Sequence, residues 1–205
     1  MIEQLKEWDE AALLFLNGFH TDTLDPVMLL ITRTDFWIPL YLVLIFMIFR
    51  NYRGEGWMIM AGVAITILLA DQITSTVMKP LFHRLRPSNE PSLRGLVHIV
   101  NEYYGGLYGF ASSHAANTTG VALIVYLVLR KYFKMIWLIF VWSFIMCYTR
   151  IYLGVHYPGD ILVGAGVGLL AGYGGYKFYL FLKSKFPGKN AAGAESILPQ
   201  PENKN

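Results

Sequence analysis

The sequence predicts an all-α fold, a polytopic transmembrane helical bundle with five spanning helices behind an N-terminal interfacial helix. Composition is the first reason. Of 205 residues, 55% are hydrophobic and 15% charged, against about 25% charged in an ordinary soluble domain. A soluble helical protein needs polar faces that these tracts lack. Tract length is the second reason, because apolar runs of about 20 residues recur and that length crosses a bilayer core. Cation placement is the third. Arg50 and Arg53, then Arg130, Lys131 and Lys134, then Lys183, Lys185 and Lys189, follow alternate runs.

The elements follow in chain order. Residues 3–19 set Leu5, Trp8, Ala12, Leu13, Phe15 and Leu16 among Glu3, Lys6, Asp9 and Glu10. That pattern suits a helix lying in the membrane interface. Spans are expected near 26–49, 57–78, 113–129, 135–153 and 158–182. The positive-inside rule assigns the three basic loops to the cytoplasm. The interfacial helix, the segment 79–112 and the turn 154–158 then share the outer side. Residues 1–186 form one membrane domain, and 187–205, rich in Gly, Pro and Asn, read as a disordered polar tail. The start, MIEQLKEWDE, is acidic and unlike a cleavable signal peptide, so the first spanning helix is expected to direct insertion. Cys147, the single cysteine, gives no disulfide framework. Neither a metal, a cofactor nor a nucleic-acid partner is expected.

Chemistry gathers in three clusters on that outer side. The first, Lys79-Pro-Leu-Phe-His-Arg-Leu-Arg86-Pro87, follows the second span. The second, Ala111-Ser112-Ser113-His114, opens the third span, where Ser112 or Ser113 can cap the helix. The free N–H groups of that turn can bind phosphate, and His114 is placed to act as a general acid. The third runs from Arg150 to His156 and Asp160. A carboxylate four residues after an imidazole can fix its tautomer and leave the other nitrogen as a nucleophile. Pro158 suits the first turn of a helix, where Asp160 is also favoured. Arg150 can grip a phosphoryl oxygen. Cations, two histidines and a carboxylate at one membrane surface point to a phosphate site.

The pattern Lys-x6-Arg-Pro, Ser-x-His, Arg-x5-His-x3-Asp resembles the type-2 phosphatidic acid phosphatase superfamily. It is matched by Lys79, Arg86 and Pro87, by Ser112 and His114, and by Arg150, His156 and Asp160. The resemblance covers about residues 57–182 and implies a six-helix core and metal-independent hydrolysis. It implies that His156 attacks phosphorus while Asp160 orients it, and that His114 protonates the departing oxygen and then activates water. Lys79, Arg86, Arg150 and Ser112, with the Ser113 amide, would hold the phosphoryl oxygens. Among family members the chain looks most like bacterial undecaprenyl pyrophosphate phosphatases. Phosphatidylglycerophosphate, phosphatidic acid and lipid A phosphatases are the alternatives, followed by a lipid phosphotransferase and, last, a non-catalytic lipid-binding protein. The implied setting is a bacterial inner membrane with the site facing outward.

Two motifs depart from the family pattern: Ala111-Ser112-Ser113-His114 stands where Pro-Ser-Gly-His is usual, so that Ser113 replaces glycine, and Thr149 stands where serine is usual. Intramembrane charges mark bundle interiors or partners, so Arg33 and Asp71, at matching depth along continuous helices, are expected to pair. His83, Arg84 and Arg94 are read as entrance residues and His98 as incidental. The loop between Pro87 and Phe110 is read as a cover over the site. Asn117-Thr-Thr falls within a helix and is discounted as a glycosylation site.

Overall fold

A computed structural model describes residues 1–186; the tail 187–205, expected to be disordered, lies outside the described residues. The helices are α1 (Ile2–Asn17), α2 (Asp25–Ile31), α3 (Ile38–Tyr52), α4 (Gly56–Asp71), α5 (Lys79–Phe82), α6 (Ser113–Leu129), α7 (Leu138–Tyr152) and α8 (Pro158–Lys185). No strand occurs among the described residues beyond an isolated antiparallel bridge between Leu85 and Tyr108.

Among the described residues, three stretches are long and apolar enough to cross a membrane: Asp35–Phe82, Lys134–Tyr152 and Pro158–Lys185. The first holds 48 residues, which at about 1.5 Å each would run more than twice the hydrocarbon thickness. It folds back at Arg53, whose φ is +47°, so α3 and α4 are separate spans. With the shorter α6 they complete five spans. Leu162, Leu170 and Phe144 are each more than 70% exposed, the outward apolar surface that lipid covers.

The first expected span, 26–49, is not one helix. It breaks after α2 at Thr32–Thr34 and restarts through a 3₁₀ turn, Asp35–Trp37. Pro39 explains the restart, since it has no N–H to donate back and restricts Ile38 before it. The break also overturns the Arg33–Asp71 pair. Arg33 binds Asp35 at 2.6 Å, with both side chains more than half exposed, and Asp71 instead accepts from Ser75 at 3.1 Å.

Helix α4 continues into α5 through a π-helical stretch, Gln72–Met78. Lys79 N–H donates to Thr74 O, five residues back. Pro80 cannot donate, and its ring would strike the carbonyl four residues earlier. A π turn relieves that conflict and rotates Lys79 relative to a regular helix.

Glycines set the spacing of the central helices. Gly164, Gly168 and Gly172 recur at every fourth residue of α8 and lie against the backbone of Ser112, just before α6, and of Ala116 and Gly120 within it, the small-residue packing of membrane helices. A β-carbon on Gly168 would sit 3.0 Å from Ala116 Cα and carbonyl carbon. Gly168→Val is therefore expected to destabilise the protein by at least about 1–3 kcal/mol, read as a lower unfolding temperature in detergent. Gly166→Val, whose β-carbon would meet nothing within 4 Å among the described residues, should leave it near wild type.

The basic loops meet at one end of the bundle. Lys183 binds Glu55 at 2.9 Å, Tyr52 donates to Val128 O at 2.7 Å, and Lys131 lies 4.7 Å from the Tyr52 ring. The C-termini of α5 and α7 and the N-termini of α6 and α8 meet at the other end. Helix α1 lies across that second end, with Asn17 donating to Ile151 O and Tyr152 O. Trp8 and Phe15 stay exposed on α1 while Leu13 is fully buried, so it is amphipathic as expected.

Candidate active site

Local helix rules build the first part of the site. Pro158 opens α8, and Asp160 in its first turn accepts the Tyr157 N–H on Oδ2 at 3.1 Å, as an acidic residue at a helix start does. The same oxygen lies 3.3 Å from His156 Nδ1. A carboxylate oxygen accepts, so Nδ1 carries the proton and Nε2 is left with its lone pair. Both side chains are buried, Asp160 completely. His156 is held well below the ordinary histidine value, first by burial and then by Arg86, Arg150, Lys79 and His114 around it. Its neutral form is the nucleophilic one.

Arg84 and Arg86 reach this pair from the segment after α5. That segment is extended and paired, with Arg86 N donating to Leu107 O at 3.1 Å and Gly109 N donating to Arg84 O at 2.9 Å. Alternate residues of an extended chain share a face, so both arginines point inward. Arg84 Nη1 donates to Asp160 Oδ1 at 2.9 Å and Nη2 to Asp9 Oδ2 at 2.7 Å. Its guanidinium lies 3.8 Å from the Tyr157 ring centre. Asp9 Oδ1 also accepts the Gly159 N–H at 2.7 Å. Gly109 makes room beside the pair, because a β-carbon there would lie 3.0 Å from Asp160 Oδ2.

Three cations line the adjoining space. Arg86 donates through Nε to Tyr108 O at 3.2 Å. Arg150 donates through Nη1 to Thr32 Oγ1 at 2.9 Å and to Tyr103 Oη at 3.2 Å. Both are buried, and Arg86 Nη1 and Arg150 Nε have no acceptor among the described residues. Buried guanidinium N–H groups are costly without a partner, and a phosphoryl oxygen is the acceptor they suit best. Lys79 Nζ donates to Ser113 Oγ at 2.7 Å, and that oxygen also bonds Thr74 at 3.0 Å and Ser75 at 2.8 Å. The hydroxyl at the position where glycine is usual thus holds the lysine. Thr149, the other departure, donates to Thr32 Oγ1 at 2.9 Å.

Ser112 caps α6, its hydroxyl accepting from Ala115 N at 3.4 Å. His114, in the first turn, donates through Nε2 to Thr32 O at 3.3 Å. Below His114 an apolar cavity of about 310 Å³ opens among α3, α4, α6 and α7, lined by Tyr41, Ile45, Val63, Val121 and Trp142. Asn117 lines it too, inside the bundle.

The structure gathers all eight sequence-predicted site residues, Lys79, Arg86, Ser112, Ser113, His114, Arg150, His156 and Asp160, at one end. Sequence reasoning missed Asp9, Thr32, Tyr103 and Gly109, and gave Arg84 a place at the entrance when it binds Asp160. Prolines either side of Thr32, at 26 and 39, were the available signal for that break. His98 is not incidental. Its Nε2 lies 3.0 Å from both Asp25 oxygens, it stacks on His20 at 3.8 Å, and its backbone pairs with Asn17. That network fastens α1 and α2 to the loop over the site. Arg94 is exposed, and His83 packs edge-on to Tyr108 at 5.0 Å.

Comparison with known proteins bears on the family and the fold. The model described as "PAP2 superfamily" matches residues 57–183. The lipid A 4'-phosphatase of Bacteroides thetaiotaomicron is 40% identical over 87% of this chain and 79% of its own length. That of Porphyromonas gingivalis is 35% identical over 96% and 84%. Among solved structures, Aquifex aeolicus LpxE superposes with a TM-score of 0.61 at 25% identity, covering 80% of this chain and 92% of its own. A transmembrane PAP2-type phosphatidylglycerolphosphate phosphatase from Bacillus subtilis has the same fold, with a TM-score of 0.62 at 24% identity over 91% and 89%.

Proposed function

The chain belongs to the PAP2 superfamily and is an integral-membrane lipid phosphatase, and from that premise we propose that it removes the 4'-phosphate of lipid A at the outer face of a bacterial inner membrane. The observation that carries the chemistry is the convergence of buried Arg86 and Arg150, each with an unpartnered N–H, on a neutral His156 bound to Asp160. Two relatives named for lipid A support the substrate, which puts this alternative ahead of undecaprenyl pyrophosphate. The apolar cavity below His114 suits an acyl chain. The basic loops at the opposite end support an outward-facing site.

In this reading His156 Nε2 attacks phosphorus, and the bond from phosphorus to the sugar oxygen breaks. His114, which the bound phosphate dianion holds protonated against the surrounding cations, gives its proton to that oxygen, and the lipid leaves as an alcohol. Asp160 compensates the charge that His156 gains as the phosphohistidine forms. His114, now neutral, takes a proton from water, whose oxygen attacks phosphorus and releases inorganic phosphate with His156 restored. Lys79, Arg86 and Arg150, with the Ser112 hydroxyl and the Ser113 amide, hold the equatorial oxygens throughout.

The test is phosphate release by purified protein, with chelator present, from lipid A, undecaprenyl pyrophosphate, phosphatidylglycerophosphate and phosphatidic acid. Lipid A is expected to lead by about tenfold or more in kcat/KM, roughly 1.4 kcal/mol of transition-state preference. A different leading lipid would replace the substrate. No release from any, or release only when a divalent metal is restored, would overturn the mechanism.

A further inference from the structure

We propose that Asp9, on the interfacial helix, is a positioning residue for this reaction: it anchors Arg84, and Arg84 fixes the Asp160 carboxylate that orients His156. The inference rests on His156 being the nucleophile.

A carboxylate orients an imidazole well only if it cannot swing. Asp160 is held on both oxygens, Oδ2 by the Tyr157 N–H and His156, and Oδ1 by Arg84 Nη1. The grip on Oδ1 is only as firm as Arg84 itself. Arg84 is anchored on a second side by Asp9 through Nη2, and its plane rests on the Tyr157 ring. The guanidinium is therefore shared between two carboxylates, one in the site and one on α1.

Charge explains why the second carboxylate matters. Arg84 stands beside a space that already holds Lys79, Arg86 and Arg150, and a bound phosphate dianion would attract a fourth cation. With Asp9 opposite, Arg84 keeps its two partners when the dianion arrives. Without that charge it is free to turn toward the phosphate and release Asp160 Oδ1. His156 then loses a fixed partner while the phosphate gains a contact. Such a change costs turnover and spares binding.

Asp9 also accepts the Gly159 N–H and so helps dock α1 on α8, a purely structural duty. Asp9→Asn separates the two roles, since the amide oxygen can keep the Gly159 bond while the charge that anchors Arg84 is gone. Arg84→Lys keeps the charge and loses the fork that spans two carboxylates.

Full-length variants in detergent would be assayed on whichever lipid of the panel is turned over fastest, with His156→Ala alongside. Asp9→Asn is expected to lower kcat by about tenfold or more while KM stays within about twofold. Single-turnover phosphorylation of His156 should slow equally. Arg84→Lys should show the same split, and the double variant should be no slower than the worse single, because both act through one contact. Wild-type kcat in Asp9→Asn, losses that multiply in the double variant, or a loss confined to KM would overturn the proposal. If Asp9→Asn does not fold, Arg84→Lys decides on the same kcat and KM criteria. A dead His156→Ala beside an unaffected Asp9→Asn would refute this proposal alone, whereas an active His156→Ala would refute the nucleophile on which it rests.

Discussion

His156→Ala is expected to cut phosphate release by at least about 10⁴-fold with little change in substrate binding. The imidazole supplies the only group proposed to bond phosphorus, and His114, the other imidazole of the site, is committed to proton transfer. Lys79, Arg86 and Arg150 remain to bind the phosphate, so the loss falls on kcat. Burial and those cations keep His156 neutral well below the usual histidine range, so the wild type begins with its nucleophile unprotonated at neutral pH. Two measurements check the variant. Steady-state assays should show the loss of turnover, and alkaline quenching with labelled substrate should trap a base-stable, acid-labile phosphoryl group on the wild type and none on His156→Ala. A label that persists in the variant would move the nucleophile elsewhere.

His114→Gln is expected to slow hydrolysis of the lipid by about 10²–10⁴-fold, the range of a positioned general acid–base. Glutamine can still donate to Thr32 O in place of the 3.3 Å contact from Nε2, so the helix start should survive. The diagnostic comparison uses p-nitrophenyl phosphate, whose leaving group departs without a proton. Its burst of p-nitrophenol should stay fast in the variant, while later turnover stalls and phosphohistidine accumulates, because water activation also needs His114. A burst slowed as much as lipid cleavage would remove His114 from the leaving-group step.

The parts of the site legible in the sequence are those set by short spacing or by helix alternation. His156 and Asp160 meet because four residues make one helical turn, and Ser112 caps α6 because a serine before an apolar run does so locally. Lys79, His114 and Arg150 reach one end because spans alternate direction. The legible order ended at the break in the first expected span. Counting depth along a continuous helix set Arg33 opposite Asp71, but the chain breaks at Thr32–Thr34 and Arg33 pairs with Asp35 outside the bundle. The same break frees Thr32 to serve His114, Thr149 and Arg150. Ser113 was read for its amide, whereas its hydroxyl holds Lys79, an arrangement that depends on the π turn before Pro80.

Residue order was enough to specify the membrane bundle, its five spans, the family and the residues that gather at the candidate site, because hydrophobic length, cation bias and motif spacing are properties of a line. Packing alone chose the partners of those groups. Asp9 lies 150 positions from Gly159 and 75 from Arg84, and no periodicity links residues so far apart. Their meeting follows from where α1 settles across the ends of α7 and α8. That position is fixed by burial of Leu13 and by the Asn17 bonds, contacts that exist only after the helices have docked.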